Sequence, residues 1–373
     1  MNLADIEKLA KRRRLDSVLI RDQATIRALT GVNCDNAILQ TSHTSHTSHT
    51  SHTSHTSHTF SHTFFTDFRY VPMVHRVAPK LKVVDIRSMG KRSLGASVGK
   101  RRPRRLVQIG YESAVSHAQF LAWQKKFPKA KFVDVAKDLA ALRAVKTADE
   151  IAGVRAAEAL TCEIWKAASA RFRAGMTERD MARIIRKMMI ERGDGEAFDT
   201  IVCVGKNAAE CHHEPDDTVW NGREPVLVDM GVKLGGFCSD LTRNIVPENL
   251  KRRGRRFPVL YLKIYGLVRE ANRAAIAAAR PGMTGKALDK VARDVIRKGG
   301  FGRCFGHSLG HGVGYEIHEA PSASKKSDMK LKPGMLVTIE PGIYLEDNLG
   351  VRIEDLVLIT ETGCEVLSAA AEI

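Results

Sequence analysis

The sequence predicts an α+β protein of two domains: a smaller α/β domain, then a larger domain made of two related halves. Three observations carry that expectation. Helix-like and strand-like stretches alternate over the first 140 residues, the pattern of an α/β layer. A helix start follows the segment Ala144-Val145-Lys146-Thr147, where Thr147 and Glu150 have capping-box spacing. Beyond it lies an internal repeat. Gly175-Met176-Thr177 and Gly282-Met283-Thr284 stand 107 residues apart and open equally long segments that end at Gly193 and Gly300. The length of 373 residues also exceeds what one core usually supports.

Each element has its own signal. Leu3, Ile6, Leu9 and Ala10 recur at helical spacing and predict a helix over Leu3 to Arg13. Ser17 to Ile20 reads as a short apolar strand, and Thr25 to Thr30 suits a second helix. Ala37 to Leu39, Thr63 to Thr66, Val83 to Asp85 and Leu106 to Ile109 read as further strands. The first domain is placed at residues 1–143, with a low-complexity insert at about 41–62, and the second at 144–373. In the repeat, Arg186 matches Arg293, and Met181, Ile184, Met188 and Met189 match Leu288, Val291, Val295 and Ile296. Two such halves facing each other would form a pseudo-symmetric cleft.

The insert repeats Thr-Ser-His and holds seven of the 14 histidines. Histidine-rich tracts can bind metal. This one has no apolar face, and its period of three fits neither helix nor strand, so it is expected to be a long hairpin loop that costs little closure entropy. Any metal there would be adventitious.

Composition narrows the class. Hydrophobic residues make up 43% of the chain, ordinary for a globular protein. No apolar run approaches the roughly 18 residues of a membrane span, and Met1 to Glu7 lacks the pattern of a signal peptide. A cytoplasmic location is expected, with no membrane partner. Seven scattered cysteines without a C-x-x-C pair suggest neither disulfides nor a zinc knuckle. The net charge of +17 raises a nucleic-acid partner. Its densest clusters, Lys100 to Arg105 and Lys251 to Arg256, lie among Gly and Pro with no interleaved aromatics. They read as solvated loops, and nucleic acid is not favoured.

The chemistry lies in the second domain. Asp229 ends the apolar run Val226-Leu227-Val228, and Asp240 follows eleven residues on, across Gly235-Gly236. Glu340 ends Leu336-Val337-Thr338-Ile339, and Glu354 is expected inside the strand Gly350 to Asp355, with Arg352 on its face by alternation. His307, His311 and His318 fall within twelve residues, interspersed with Gly306, Gly310, Gly312 and Gly314, which permit close backbone approach. The segment is not a zincin helix, because Ser308 stands where the glutamate is needed. Acidic residues at the buried ends of strands, repeated four times, are hard to explain structurally, and divalent cations that keep them ionised together would explain them. Four carboxylates and one imidazole suit two ions of manganese, cobalt, zinc or iron, manganese first.

Asp229-Met230-Gly231, Ser239 to Arg243, His307 to Pro321, Ile339 to Tyr344 and Val351 to Asp355 closely resemble the metallopeptidases of pita-bread fold: Xaa-Pro aminopeptidase, prolidase, methionine aminopeptidase and creatinase. The resemblance implies a pita-bread catalytic domain behind a creatinase-like N-terminal domain. It implies that Asp229 chelates one metal, that His311 and Glu340 hold the other, and that Asp240 and Glu354 bridge. His212, 17 residues before Asp229, and His318 match the family's non-ligand histidines. His307 matches a substrate-pocket histidine, and Tyr344 and Arg352 join the substrate side, Arg352 also steadying the bridging carboxylates. The implied reaction is attack by a metal-bridging hydroxide, with Glu340 passing the proton to the leaving nitrogen. The implied substrate is a peptide with proline at its second position, the first reading being Xaa-Pro aminopeptidase and the alternative Xaa-Pro dipeptidase. A homodimer is implied as well. A metal-free binding module is the rival from another class, and the complete ligand set weighs against it. Asn244 and Cys203 depart from the family pattern, and the insert is foreign to it.

Overall fold

The computed structural model describes the backbone of residues 1–50, 53–87, 106–247 and 256–371, and their side chains apart from 44–58 and 256–258. The basic cluster Lys100 to Arg105 and all but the last residue of Lys251 to Arg256 lie outside that set. The chain divides into two compact units, Met1–Arg143 and Ala144–Ile373.

The first unit contains α1 (Leu3–Arg13), β1 (Ser17–Ile20), α2 (Gln23–Thr30), β2 (Ala37–Thr50), β3 (Thr53–Thr66), α3 (Val71–Val77), β4 (Lys82–Asp85), β5 (Val107–Tyr111), α4 (His117–Lys126), β6 (Ala130–Asp134) and α5 (Ala136–Ala144). Its six-stranded sheet has the order β4-β3-β2-β1-β5-β6. A core of Ile6, Leu9, Val18, Ile20, Ile26, Leu39, Phe64 and Val74 sits beneath it. All but Val74 fall in the segments whose pattern predicts α1, β1, α2 and the hairpin.

The Thr-Ser-His tract departs from expectation. It is not a loop: β2 and β3 pair without interruption from Ala37↔Thr66 to Thr50↔Thr53. Two facts account for the extension. The apolar ends, Leu39 opposite Phe64, fix the register. Beyond them the ladder satisfies backbone N–H and C=O groups by itself, and β-branched threonine favours extended backbone. A strand pair held by its backbone ladder does not require an apolar face, so the missing period of two did not preclude a strand.

The second unit contains α6 (Ala148–Ser169), α7 (Glu178–Arg192), β7 (Gly195–Glu196), β8 (Ile201–Val204), β9 (Val226–Met230), β10 (Val232–Leu234), β11 (Phe237–Cys238), β12 (Leu241–Ile245), α8 (Arg256–Ala278), α9 (Gly285–Lys298), β13 (Gly310–Gly312), β14 (Glu319–Ala323), β15 (Leu336–Ile339), β16 (Gly342–Leu345), β17 (Leu349–Arg352), β18 (Asp355–Ile359) and β19 (Cys364–Val366). The expected capping box is present: Glu150 N donates to Thr147 Oγ1 at 3.3 Å and Thr147 N to Glu150 Oε2 at 2.8 Å.

The internal repeat is structural. Gly175 and Gly282 both hold a positive φ, +96° and +85°, where glycine is favoured. Gly175 N donates to Trp220 O at 2.8 Å, and Gly282 N to Leu331 O at 2.9 Å. Thr177 then caps α7 and Thr284 caps α9. Both threonines also bridge the returning chain, at Val219 and Lys330. Each half has its own core: Trp165, Met181, Ile185 and Val228 in the first, Tyr261, Ile264, Leu288 and Val337 in the second. Among the described residues no helix is long and apolar enough to cross a membrane.

Candidate metal centre

The two halves deliver their acidic residues differently. In the first, β9 and β12 pair antiparallel with Thr242 opposite Asp229, and Asp240 stands just before β12. Gly235 and Gly236, both at positive φ, turn the intervening hairpin of β10 and β11. In the second half, Glu340 directly follows β15 and is tied by its N–H to Leu309 O at 2.8 Å. Glu354 is not inside a strand as expected. It lies in the two-residue link between β17 and β18, which belong to different sheets. The chain changes sheets there, and the Glu354 N–H is satisfied by Thr242 O at 3.2 Å instead of a ladder partner.

His311 sits on β13, its N–H bonded to Thr338 Oγ1 at 3.0 Å. Its Nε2 lies 3.5 Å from both Asp240 Oδ2 and Glu340 Oε1. Gly310 explains how β13 comes so close to β15: a Cβ there would lie 1.9 Å from Thr338 O. Gly306 meets no such neighbour, so close approach does not account for it. Donor atoms of Asp240, His311 and Glu354 all fall within 4.8 Å of one another. The His318 ring meets His311 edge-on, 4.4 Å between centroids.

Arg352, only 4% exposed, links these groups. Its guanidinium donates to Asp229 Oδ2 at 2.6 Å, Tyr344 Oη at 2.9 Å and Thr242 Oγ1 at 3.2 Å. Thr242 Oγ1 donates in turn to Glu354 Oε2 at 2.7 Å. Asp229, Asp240, His311, Glu340 and Glu354 line one cleft of about 800 Å³ together with His212, His307, His318 and Arg352. Tyr344 does not line it. It borders a separate, smaller cavity and reaches the cleft residues through its hydroxyl, 3.0 Å from His307 Nε2.

Four carboxylates face the single guanidinium of Arg352, and the electrostatics show the imbalance. Burial, followed by the charges of Glu354, Asp229 and Glu340, holds the Asp240 carboxyl well above its usual value. Glu354 is raised in the same way, by burial and then by Glu340 and Asp229. Burial pushes Glu340 up to about 8. It drives His311 down to about 4, with His318 adding to the effect. Asp229 Oδ1 is buried with no hydrogen-bond partner among the described residues. The donor set therefore fits divalent cations: hard oxygen ligands, a neutral imidazole, and an excess of buried negative charge.

A signed pH dependence follows for the protein stripped of metal with a chelator. A carboxyl with a raised native pKa binds more protons when folded than when unfolded, so its contribution to stability falls as pH rises toward that pKa. Depressed histidines act oppositely, adding stability as pH rises, but only up to their ordinary 6.5. Above 6.5 the groups with raised values act in one direction: Glu340 and Glu158 up to about 8, Glu112 up to about 7, and His213. Tm of the metal-free protein is expected to fall from pH 6.5 to 8, and saturating manganese to lessen the fall by the share of the cleft carboxylates. A flat or rising metal-free Tm over that window would contradict the assignment.

Several residues at the site carried no obvious sequence signal. Thr242 and Thr338 stand two residues from Asp240 and Glu340, so alternation along a strand could have found them. Glu158 is fully buried on α6, accepts the Asp240 N–H at 3.1 Å, and is pushed up to about 8 by burial. A single acid on an apolar helix face was its only signal. Glu178 anchors the loop that bears His212, accepting from Asp216 N at 3.0 Å and bonding His213 Nε2 at 2.7 Å. Asn244, outside the usual pattern, donates to Arg352 O at 2.6 Å.

Residues 152–361 match the model of metallopeptidase family M24. The chain belongs to that family. Residues 3–145 match the creatinase/prolidase N-terminal domain, so the M24 unit follows a creatinase-type domain. An Xaa-Pro dipeptidase of Lactobacillus helveticus is 40% identical over 256 residues, 67% of this chain and 66% of that protein. The structure of prolidase from Pyrococcus furiosus superposes with a TM-score of 0.81 at 30% identity, covering 97% of this chain and 98% of the other. X-Pro aminopeptidase from Thermotoga maritima superposes at 0.78 with 29% identity, covering 97% of each.

Proposed function

We propose that this M24 metallopeptidase is an Xaa-Pro dipeptidase that binds two divalent ions through Asp229, Asp240, His311, Glu340 and Glu354. The observation that carries the proposal is the meeting of all five side chains in one cleft, beside His212, His307 and His318, which lie outside the ligand set. The dipeptidase is preferred to the aminopeptidase of the sequence reading because the most similar relatives reported above are a dipeptidase and a prolidase. Manganese as the ion and a homodimer as the assembly rest on the family resemblance.

When bound, the ions supply a water acidified to near-neutral pKa and a Lewis acid for the scissile carbonyl. The side chains supply the rest. Glu340, with one carboxylate oxygen near His311 and the other 3.8 Å from His307 Nδ1, is placed to hold the proton taken from water and pass it to the proline nitrogen. His212 and His318 are assigned hydrogen bonds to the substrate carbonyl and to the negative charge that develops on it. His307 borders the substrate, kept neutral by burial, which lowers it to about 4. Tyr344 acts through His307 and Arg352, not by direct contact.

One assay separates the alternatives. Proline release from Xaa-Pro dipeptides is compared with Xaa release from Xaa-Pro tripeptides, using the manganese-loaded enzyme. The dipeptide is expected to show at least about tenfold higher kcat/KM, worth about 1.4 kcal/mol of transition-state binding. A higher value for the tripeptide would establish the aminopeptidase instead.

A further inference from the structure

Lys146 and Glu319 form a buried ion pair beside the cleft. Their side chains are 3% and 1% exposed, and Lys146 Nζ lies 2.9 Å from Glu319 Oε2. Burying two charges is costly, and an apolar pair of similar volume often gives equal or greater stability. Stability alone is therefore a weak reason for this pair. Its surroundings suggest another.

Glu319 follows His318 directly and opens β14, where it pairs with Gly312 next to a bulge at His311. Its second oxygen, Oε1, accepts the Glu316 N–H at 3.0 Å. Glu316 O accepts the Gly314 N–H at 3.1 Å. A Cβ on Gly314 would fall 2.7 Å from Glu319 Oε1, so the loop backbone lies directly against the carboxylate. The loop from Gly312 to His318 is thus closed on Glu319, and His318 leaves it with its ring against His311. Lys146 Nζ holds the other carboxylate oxygen, Oε2, and so fixes the direction in which Glu319 points. It is itself fixed by its N–H to Gly334 O at 2.9 Å and by the neighbouring bridge Val145↔Met335.

We propose that Glu319, held by Lys146, is a positioning residue for the peptidase reaction: it sets the orientation of His318 over the cleft. The proposal rests on the role given to His318 above. An apolar pair could fill the volume, but it could not accept the Glu316 N–H that fixes the loop.

The test uses the full-length, manganese-loaded enzyme and the variants Glu319→Ala, Lys146→Met and the double variant K146M/E319Q. Glu319→Ala and Lys146→Met are expected to lower kcat by about 10- to 100-fold, the range for outer-shell partners, with KM and bound metal near wild type. The double variant removes both charges yet keeps an acceptor for Glu316 N–H, and should recover most of kcat. It also covers the case in which a single variant fails to fold. In a His318→Ala background, adding Glu319→Ala should cost less than about twofold, because contacting residues that act as a unit are not additive. Wild-type kcat in Glu319→Ala, or a full additional loss in the His318→Ala background, would overturn the proposal. A wild-type enzyme that cleaves no Xaa-Pro dipeptide would instead remove the substrate reading. Then the His318 ring proton resonance decides, measured in the zinc-loaded protein. It is expected to move in Glu319→Ala, and an unmoved resonance would again overturn the positioning role.

Discussion

Asp240→Ala is expected to abolish peptide hydrolysis and to release metal. Asp240 is 4% exposed, 3.5 Å from His311 Nε2, and shares a donor cluster with His311 and Glu354. The loss in kcat/KM should be on the order of a thousandfold or more, a barrier increase of about 4 kcal/mol. Metal analysis of the purified variant should show clearly less than the wild-type content. Glu354→Ala should do the same and also strand Thr242 Oγ1, which now donates to Glu354. Full activity in either variant would sink the two-metal assignment.

The same substitution has an opposite effect on the metal-free fold, and that contrast separates a ligand from a structural residue. Burial and the neighbouring carboxylates already disfavour an ionised Asp240. Asp240→Ala removes one of those charges, so the chelator-treated variant should melt no lower than chelator-treated wild type near pH 8. With metal present the order should reverse, because wild type alone gains the binding free energy. An acid retained for packing or hydrogen bonding would weaken the fold in both conditions when removed.

Much of this was legible in the sequence, and the gaps have physical reasons. Asp229 and Glu340 stand out because an ionisable group at the end of an apolar run is costly, and both line one cleft with Asp240, His311 and Glu354. The two-halved unit could be found because Gly-Met-Thr encodes the same act twice: a positive-φ glycine, then a threonine cap. Glu354 was misplaced by one element, because alternation along 350–355 does not reveal that the chain leaves one sheet for another after Arg352. The Thr-Ser-His tract was misread because amphipathic periodicity reports burial, whereas a ladder of backbone hydrogen bonds extends a strand without that signal. Glu158 and Glu178 were missed because their partners are hydrogen-bonding atoms far away in sequence: Asp240 N lies 82 positions from Glu158, and Asp216 N lies 38 from Glu178. Nothing local distinguishes such a residue from an ordinary satisfied polar group.

Arg352 offers the other large effect. It is the only cation hydrogen-bonded to the carboxylate cluster among the described residues, and its guanidinium serves Asp229, Tyr344 and Thr242 in three directions. Arg352→Met would leave Asp229 buried without its cation. Removing one partner of a buried pair typically costs about 3–5 kcal/mol, a large part of the roughly 5–15 kcal/mol that holds a domain folded. Chelator-treated Arg352→Met should therefore show a markedly lower Tm, and added metal should restore part of it by supplying positive charge at the same carboxylates. Activity should fall about 10- to 100-fold even when metal is saturating, because Thr242, and through it Glu354, loses its brace. Arg352→Lys sharpens the test. Lysine keeps the charge, so most of the metal-free stability should return, but one ammonium cannot bond Asp229, Tyr344 and Thr242 together in the planar fork that arginine provides. Thermal melts should then rank wild type above Arg352→Lys above Arg352→Met, while kcat/KM of the two variants stays similarly low. If Arg352→Lys kept wild-type kcat/KM, the geometry of the fork would be irrelevant and only the charge would count.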